Sequence, residues 1–215
     1  MRSMIIGGDL DNTMLAYTEG LSDFIAKDLG VTDREAHALA YGPPADYAMS
    51  NWPGFPEAFT DFHTRGVVDG LYTRLKPFAD VSKYLWKLSN EGCHIRIITS
   101  RFVKNGQNSI VVRDTGISLD ANDIPYRDIV FTDIKADIFA DVYLDDSPSN
   151  IVKLRAAGRK VIIFDAPYNQ EFDGLRVHNW EEAYTMLHDM AVKFNRRQKQ
   201  LDTLKRFNPL KLIRK

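Results

Sequence analysis

The 215-residue sequence contains a single cysteine, Cys93. One cysteine excludes a framework of disulfide bonds within the chain, and this composition suits a reducing compartment. Cys93 directly precedes an apolar run that is typical of a strand, so we expect its side chain to fill space in the protein interior. The cysteine count therefore favours a cytoplasmic protein.

Long hydrophobic runs are also missing. Near the N-terminus only residues 4–6 are apolar before Asp9 follows, which is not the pattern of a signal peptide. No other stretch has the length needed to cross a membrane, so we expect no membrane partner. With 44% hydrophobic and 27% charged residues, the composition is that of an ordinary globular chain.

The sequence has few histidines and no internal repeat or low-complexity tract. Among its five histidines, His63, His94 and His178 do not show the spacing of metal ligands, and we expect structural roles for them. These absences exclude a repeat architecture and a histidine-based metal centre.

Charge is unevenly distributed, although the net charge of the chain is only −1. The basic C-terminal segment, residues 193–215, contains nine lysines or arginines and one acid, so the remainder of the chain is acidic. A solvated amphipathic helix is the ordinary explanation. The alternatives are docking on the acidic body of a second subunit, which would give a homodimer, and contact with nucleic acid.

Apolar runs that alternate with helical patterns predict an α/β fold. The predicted strands are residues 3–9, 93–99, 129–131, 141–144 and 160–164. Each is apolar throughout, which is typical of parallel strands buried on both faces. We therefore predict a Rossmann-like parallel sheet with helices on both faces, and a long helix over residues 180–207.

Residues 14–76 show helical patterns and no strand signal. Leu21, Phe24 and Ile25 have helical spacing, and Thr32 with Glu35 has the spacing of a capping box at the start of a second helix. We predict a small helical cap at residues 14–76, inserted after the first strand. The predicted core is then residues 1–13 and 77–192, followed by the basic C-terminal segment.

Polar side chains end three of the predicted strands, where ligands of an open parallel sheet bind. These residues are Asp9 and Asp11, Thr99 and Ser100, and Asp145 and Asp146, with Lys135 shortly before the last pair. Two carboxylates at i and i+2 repel each other unless positive charge lies between them, and Mg²⁺ prefers such oxygen ligands. The mixture of carboxylates, hydroxyls and an ammonium predicts a metal-dependent site for phosphoryl transfer.

These groups, in this order, resemble the four motifs of the haloacid dehalogenase superfamily of phosphotransferases. Residues 9–13, Asp-Leu-Asp-Asn-Thr, resemble its first motif, and Thr99, Lys135 and the pair Asp145-Asp146 resemble the other three. The resemblance covers residues 4–165, and residues 14–76 occupy the place of the first type of cap in that superfamily.

The resemblance implies a role for each residue. Asp9 would be the nucleophile that forms an aspartyl-phosphate, and Asp11 would protonate the leaving oxygen and then activate water. The implied Mg²⁺ ligands are Asp9, the main-chain carbonyl of Asp11, and Asp145 or Asp146. The implied phosphate-binding groups are Thr99, Lys135 and the backbone around Leu10 and Ser100.

A narrower resemblance is to 5′(3′)-deoxyribonucleotidases, which hydrolyse nucleoside monophosphates and stack the base on aromatic residues of the cap. It rests on Thr99-Ser100, on Lys135 ten residues before Asp145, and on residues 164–170 and 177–180. It implies that aromatic residues of the cap line the pocket, and the candidates are Tyr17, Trp52 and Phe55. Two positions depart from that group: Asn12 stands where glycine is common, and Arg101 stands where proline is expected.

We therefore expect a Mg²⁺-dependent phosphomonoesterase that acts on a small phosphate ester, first of all a deoxynucleoside monophosphate. The basic C-terminal segment leaves a phosphatase for nucleic-acid ends as an alternative, and a sugar phosphate is another substrate class. A non-catalytic binding protein with the same fold is the third alternative, against which the intact Asp9 and Asp11 argue.

Overall fold

The computed structural model describes residues 2–41, 59–102 and 108–207. Within these ranges the strands are β1 (Ile5–Gly8), β2 (His94–Thr99), β3 (Asp128–Phe131), β4 (Val142–Asp145), β5 (Val161–Phe164) and β6 (Arg176–Val177). The α-helices are α1 (Tyr17–Leu29), α2 (Asp33–Ala40), α3 (Phe59–Val68), α4 (Val81–Asn90), α5 (Asn108–Ala121), α6 (Pro148–Ala156) and α7 (Trp180–Phe207). Short 3₁₀ helices cover Tyr72–Arg74, Lys135–Asp137 and Pro167–Asn169.

All six strands are parallel and lie in the order β3-β2-β1-β4-β5-β6. The chain builds one half of the sheet outward from β1 and then returns to the other side of β1 to build the second half. The order of strands therefore reverses between β1 and β4, which is the place where open α/β sheets bind ligands. The predicted α/β class and parallel sheet are confirmed.

The sheet is covered on both faces, as the continuous apolar strands predict. Consecutive residues of strand β2 enter different core clusters: Ile97 packs in the larger cluster and Ile98 in the smaller one. Leu85 of α4 and Leu187 of α7 belong to the larger cluster, whereas Ile151 of α6 belongs to the smaller one. Since neighbouring side chains on a strand point to opposite faces, each cluster covers one face.

The described part of residues 14–76 is helical, as predicted. Gly30 ends α1 in the left-handed conformation (φ 63°), and the Thr32–Glu35 capping box forms at the start of α2. Phe24 of α1 and Phe62 of α3 lie with ring centroids 5.1 Å apart and join the larger core cluster. The division into a core and a cap with boundaries at 14 and 76 stays a prediction.

Helix α7 has the bounds that the sequence predicts and is tied to the end of β1. The Trp180 side chain is buried, and its Nε1 donates a hydrogen bond of 2.9 Å to the main-chain oxygen of Thr13. The sequence analysis did not identify β6, because a strand of two residues has no periodic signal. None of the described helices combines the length and the apolar character needed to cross a membrane.

Candidate active site

Three carboxylates and one ammonium meet at the ends of β1 and β4. Asp9, Asp145 and Asp146 are buried, and each offers a carboxylate oxygen within 4.8 Å of those of the other two. Lys135 Nζ lies 2.8 Å from both Asp9 Oδ1 and Asp145 Oδ2. The 3₁₀ helix after β3 brings Lys135 to this position, so four of the predicted residues lie together.

Burial and mutual repulsion shape the charge of this group. Burial raises the pKa of Asp9 to about 7; Lys135 opposes this rise, and the carboxylates of Asp145 and Asp11 add to it. Burial also raises the pKa of Asp146, with Asp9 and Asp145 contributing. For Lys135, burial favours the neutral amine, but Asp145 and Asp9 outweigh it and hold its pKa above the usual value. Three carboxylates thus share one ammonium, an arrangement that favours an added cation.

Asp11 has a different partner. Arg101 Nε donates to Asp11 Oδ2 at 2.9 Å, and Arg101 Nη2 donates to Asp11 Oδ1 at 2.6 Å. A metal ion was expected to balance the charges of Asp9 and Asp11. Protein cations also meet these two carboxylates, Lys135 at Asp9 and Arg101 at Asp11. The departure from the expected proline at position 101 was the one signal that could have pointed to this pair.

Two segments distant in sequence fix the orientation of Asp146. Thr13 Oγ1 donates to Asp146 Oδ1 at 2.9 Å, and the Tyr168 hydroxyl donates to Asp146 Oδ2. Asn169 Nδ2 donates to the main-chain oxygen of Asp146 at 2.8 Å. Tyr168 and Asn169 lie within residues 164–170, which the sequence analysis connected with deoxyribonucleotidases without assigning them a role.

Asp145 is held by residues that follow it in the chain. The main-chain N–H of Ser147 donates to Asp145 Oδ1 at 3.0 Å, and Asn150 Nδ2 lies 3.1 and 3.2 Å from the two carboxylate oxygens. Together with Lys135, these donors hold the Asp145 carboxylate in a single orientation. Asp145 and Asp146 therefore face the same site with separately fixed carboxylates.

Asn12 links the end of β1 to helix α1. Its backbone is left-handed (φ 55°), a conformation that asparagine adopts more readily than most residues other than glycine. Its Oδ1 accepts a hydrogen bond of 3.0 Å from the N–H of Thr18, and its Nδ2 donates to the Tyr168 hydroxyl at 3.0 Å. Asn12 thus adopts the left-handed conformation that glycine would also allow, and its side chain binds the first turn of α1.

A cavity of about 320 Å³ opens above these groups. Of the predicted phosphate-binding residues, Lys135 and Ser100 line it, and Ser100 Oγ donates to the main-chain oxygen of Thr132 at 3.0 Å. Thr99 is buried beneath, where its Oγ1 accepts from the N–H of Arg101 at 3.4 Å. Of the predicted pocket residues, Tyr17 lines the cavity, whereas Trp52 and Phe55 lie outside the described residues.

The cavity residues that were not assigned to the site from the sequence include His63, Tyr72 and Phe102. Tyr72 Oη lies 3.4 Å from His63 Nε2, and both side chains are buried. Burial lowers the pKa of His63 to about 4 and raises that of Tyr72, so both rings are uncharged at neutral pH. The cavity lining therefore includes uncharged aromatic rings, and one of them, Tyr72, adjoins the Arg101 guanidinium.

Residues 3–194 match the family model described as "5' nucleotidase, deoxy (Pyrimidine), cytosolic type C protein". The chain belongs to this family. Membership in the 5′-nucleotidase family confirms the predicted type of enzyme, a haloacid dehalogenase-like phosphoric monoester hydrolase. The strand-end motifs had predicted this class from the sequence.

Individual relatives agree with the family assignment. The chain is 34% identical over 190 residues to a Chlorobaculum tepidum protein named "Putative 5'(3')-deoxyribonucleotidase", covering 86% of this chain and 90% of that one. The crystal structure of a predicted phosphatase from Clostridium acetobutylicum aligns with a TM-score of 0.59 and 14% identity, over 88% of this chain and all of the other.

A HAD-superfamily hydrolase of subfamily IA from Geobacter sulfurreducens aligns with a TM-score of 0.54 and 13% identity, over 86% and 96% of the two chains. At such identities, the two solved structures support the fold alone. The fold of this 5′-nucleotidase family member is therefore the haloacid dehalogenase-like fold that the motifs implied.

Proposed function

We propose that the protein is a Mg²⁺-dependent phosphomonoesterase that hydrolyses deoxynucleoside or nucleoside monophosphates through an aspartyl-phosphate on Asp9. The observation that carries this proposal is the buried group of Asp9, Asp145 and Asp146 around Lys135, at the floor of a cavity whose lining includes aromatic rings. The name of the Chlorobaculum relative supports the choice of substrate.

The reaction requires two displacements at phosphorus. In the first, a carboxylate oxygen of Asp9 attacks phosphorus, the bond from phosphorus to the nucleoside oxygen breaks, and Asp11 gives its proton to that oxygen. In the second, Asp11 takes a proton from water as the water oxygen attacks phosphorus. The bond to Asp9 then breaks, and inorganic phosphate leaves with the enzyme restored.

The carboxylate group fits a magnesium ion. Three buried carboxylates with a single ammonium among them leave negative charge to be compensated, and oxygen ligands are those that Mg²⁺ prefers. The residues that would hold the ion are Asp9, the main-chain carbonyl of Asp11, and Asp145 or Asp146. When bound, Mg²⁺ supplies the positive charge that lets an anionic phosphate approach the anionic Asp9.

Lys135 and Ser100 would receive the phosphate oxygens. An ammonium has three donors, and two of those of Lys135 point at Asp9 and Asp145, which leaves one for a phosphate oxygen. Both residues line the cavity at its charged end. Thr99 stays a predicted contributor through the backbone that it orients.

The aromatic residues of the cavity support a nucleobase as the second recognition element. Tyr17, Tyr72 and Phe102 line the cavity, and the buried His63 ring is neutral. Bases stack on such rings with a favourable free energy of about 1–3 kcal/mol each.

The decisive experiment measures phosphate release from a panel of substrates at equal concentration. The panel contains deoxynucleoside and nucleoside monophosphates, sugar phosphates, and oligonucleotides with 3′- or 5′-phosphates. We expect the highest kcat/KM for a pyrimidine deoxynucleoside 5′-monophosphate. Faster hydrolysis of the sugar phosphates, or hydrolysis of the oligonucleotide ends alone, would reject the proposed substrate.

A second measurement tests the intermediate. Brief incubation with a ³²P-labelled substrate and acid quenching should trap label on the protein, and Asp9→Asn should trap none. Asp120→Asn is the matched control, because Asp120 is exposed on α5 and lies outside the cavity lining. Equal labelling of the Asp9→Asn protein would assign the covalent step to another residue.

A further inference from the structure

We infer that Arg101 is a positioning residue that sets the direction of the Asp11 carboxylate toward the leaving oxygen. This inference rests on the proposed function, in which Asp11 transfers the proton. Nothing in the sequence motifs assigns a role to position 101.

The contact between the two side chains fixes geometry as well as charge. Two N–H groups of the planar guanidinium meet the two carboxylate oxygens of Asp11, at 2.9 and 2.6 Å. A two-bond pair of this kind sets the plane of the carboxylate, which a lysine could not do because its ammonium is a point charge. The Asp11 carboxylate therefore takes its orientation from Arg101.

Arg101 is itself held from two other sides. Its Nη1 donates to Thr115 Oγ1 of α5 at 3.1 Å, and its guanidinium carbon lies 4.1 Å from the centre of the Tyr72 ring. The side chain is 1% exposed. Cation–π contact and the hydrogen bond together leave the guanidinium little freedom, so Asp11 is aligned by a rigid group.

The Tyr72 contact extends this arrangement into the helical region that roofs the cavity. Tyr72 belongs to the 3₁₀ helix Tyr72–Arg74, and its hydroxyl lies 3.4 Å from Nε2 of His63 in α3. A chain of contacts thus runs from His63 through Tyr72 and Arg101 to Asp11. All four residues line the cavity, so the position of Asp11 depends on the same groups that would meet the substrate.

A positioning role has a chemical consequence that a structural role lacks. If Arg101 acts through Asp11, its loss must slow the release of leaving groups that need a proton and spare those that do not. A nucleoside alkoxide needs the proton, whereas p-nitrophenolate is stable without it. The first turnover is the proper measurement, because Asp11 serves again as the base in the second displacement.

The test replaces Arg101 by Met, which keeps an unbranched apolar stem and removes the guanidinium group with its paired N–H donors. For a deoxynucleoside monophosphate we expect the first-turnover rate to fall about 10²-fold, the lower end of the usual contribution of general acid catalysis. For p-nitrophenyl phosphate the burst of p-nitrophenolate should fall less than about 3-fold, a small part of that contribution. In an Asp11→Asn background the same replacement should have no further effect on the nucleotide.

Two further variants keep the inference testable if Arg101→Met folds poorly. Arg101→Lys retains the charge without the two-bond geometry and should show the same preference for p-nitrophenyl phosphate. Thr115→Val removes only the hydrogen bond that anchors the guanidinium and should give a smaller change in the same direction. The matched control is Arg96→Met, since Arg96 makes an equivalent two-bond pair with Asp128 outside the cavity lining, at 2.7 Å for each bond.

Three results would overturn the inference. Equal losses on both substrates would mean that Arg101 only supports the fold. A raised KM for both substrates, with weaker inhibition by inorganic phosphate and an unchanged first turnover, would make it a phosphate-binding residue. If Arg96→Met showed the same preference for p-nitrophenyl phosphate, the effect would not be specific to Arg101. A separate result would reject the proposed function itself: the Asp9→Asn protein, in which Arg101 is intact, would keep its activity.

Discussion

Asp9 and Asp11 are two residues apart, yet their carboxylates lie in different regions of the molecule. Asp9 is buried with Asp145, Asp146 and Lys135 between β1 and β4, where strand ends hold the carboxylates and the 3₁₀ helix after β3 holds the lysine. The Asp11 side chain is 25% exposed and points at Arg101, whose neighbours Tyr72 and Thr115 lie on helices. The first region belongs to the sheet, and the second lies where the sheet meets the helices above it.

In the proposed reaction, one short motif serves two chemical roles. A nucleophile needs a fixed position beside a cation, and Asp9, the proposed nucleophile, has such a position beside Lys135. A group that gives and takes a proton needs access to the leaving oxygen and to water, and the partly exposed Asp11 has that access. The strongest tests treat the two carboxylates separately.

The largest expected effect comes from removing the carboxylate of Asp9. In Asp9→Asn, hydrolysis should fall at least ~10³-fold on every substrate, p-nitrophenyl phosphate included, because no covalent step is left. Asp11→Asn should instead keep a burst of p-nitrophenolate. Steady-state and first-turnover rates on the two substrates measure the difference. Equal behaviour of the two variants would show that the carboxylates do not have separate roles.

Removing Mg²⁺ should also stop hydrolysis and should act on the Asp9 region alone. Excess chelator should abolish phosphate release, and added Mg²⁺ should restore it. At a hundredfold excess over Kd, bound Mg²⁺ should stabilise the fold by about 2.7 kcal/mol. This stabilisation, measured by thermal unfolding, should be lost in Asp9→Asn and kept in Arg101→Met. Unchanged hydrolysis in chelator would reject the metal requirement.

Lys135→Met should destabilise the metal-free protein by about 3–5 kcal/mol at pH 8, because the buried carboxylates of Asp9 and Asp145 lose the ammonium that lies 2.8 Å from each of them. Without Lys135 the pKa of Asp9 should rise above about 7, so the carboxyl takes a proton as the pH falls and the cost shrinks. Urea unfolding at pH 8 and pH 6 measures this change. Lys83→Met, at an exposed ion pair, is the control and should differ little from the parent. A loss independent of pH would contradict the electrostatic account.

The smallest expected effect concerns the aromatic rings of the cavity. The pKa of His63 is lowered by burial from 6.5 to about 4, so the folded state resists protonation that the unfolded chain accepts. Its contribution to stability is therefore complete above pH 6.5 and is lost as the pH falls toward 4, by up to about 3 kcal/mol. In His63→Phe the new ring can pack against the neighbouring aromatic rings and does not titrate. The free energy of unfolding should therefore fall less between pH 6.5 and pH 4 than in the parent protein. The same pH dependence of urea unfolding in both proteins would contradict it.

Much of the fold follows from local patterns in the sequence. The strands were predicted from continuous apolar runs, α2 from its capping box, and α7 from residues 180–207. Strand β6 was missed because two residues carry no period. The roles of Arg101 and Tyr168 were missed because their partners, Asp11 and Asp146, lie 90 and 22 residues away in the chain.

The sequence by itself determined the class of fold and the edge of the sheet where polar residues gather. Apolar strands of a parallel sheet bring their carboxyl ends together, so Asp9, Lys135 and Asp145 had to approach one another. Only the tertiary structure decided which cation meets which carboxylate. Such pairing depends on distances of a few ångströms between segments that are distant in sequence. It gave Asp9 a lysine beside β4 and Asp11 an arginine held by Thr115 and Tyr72.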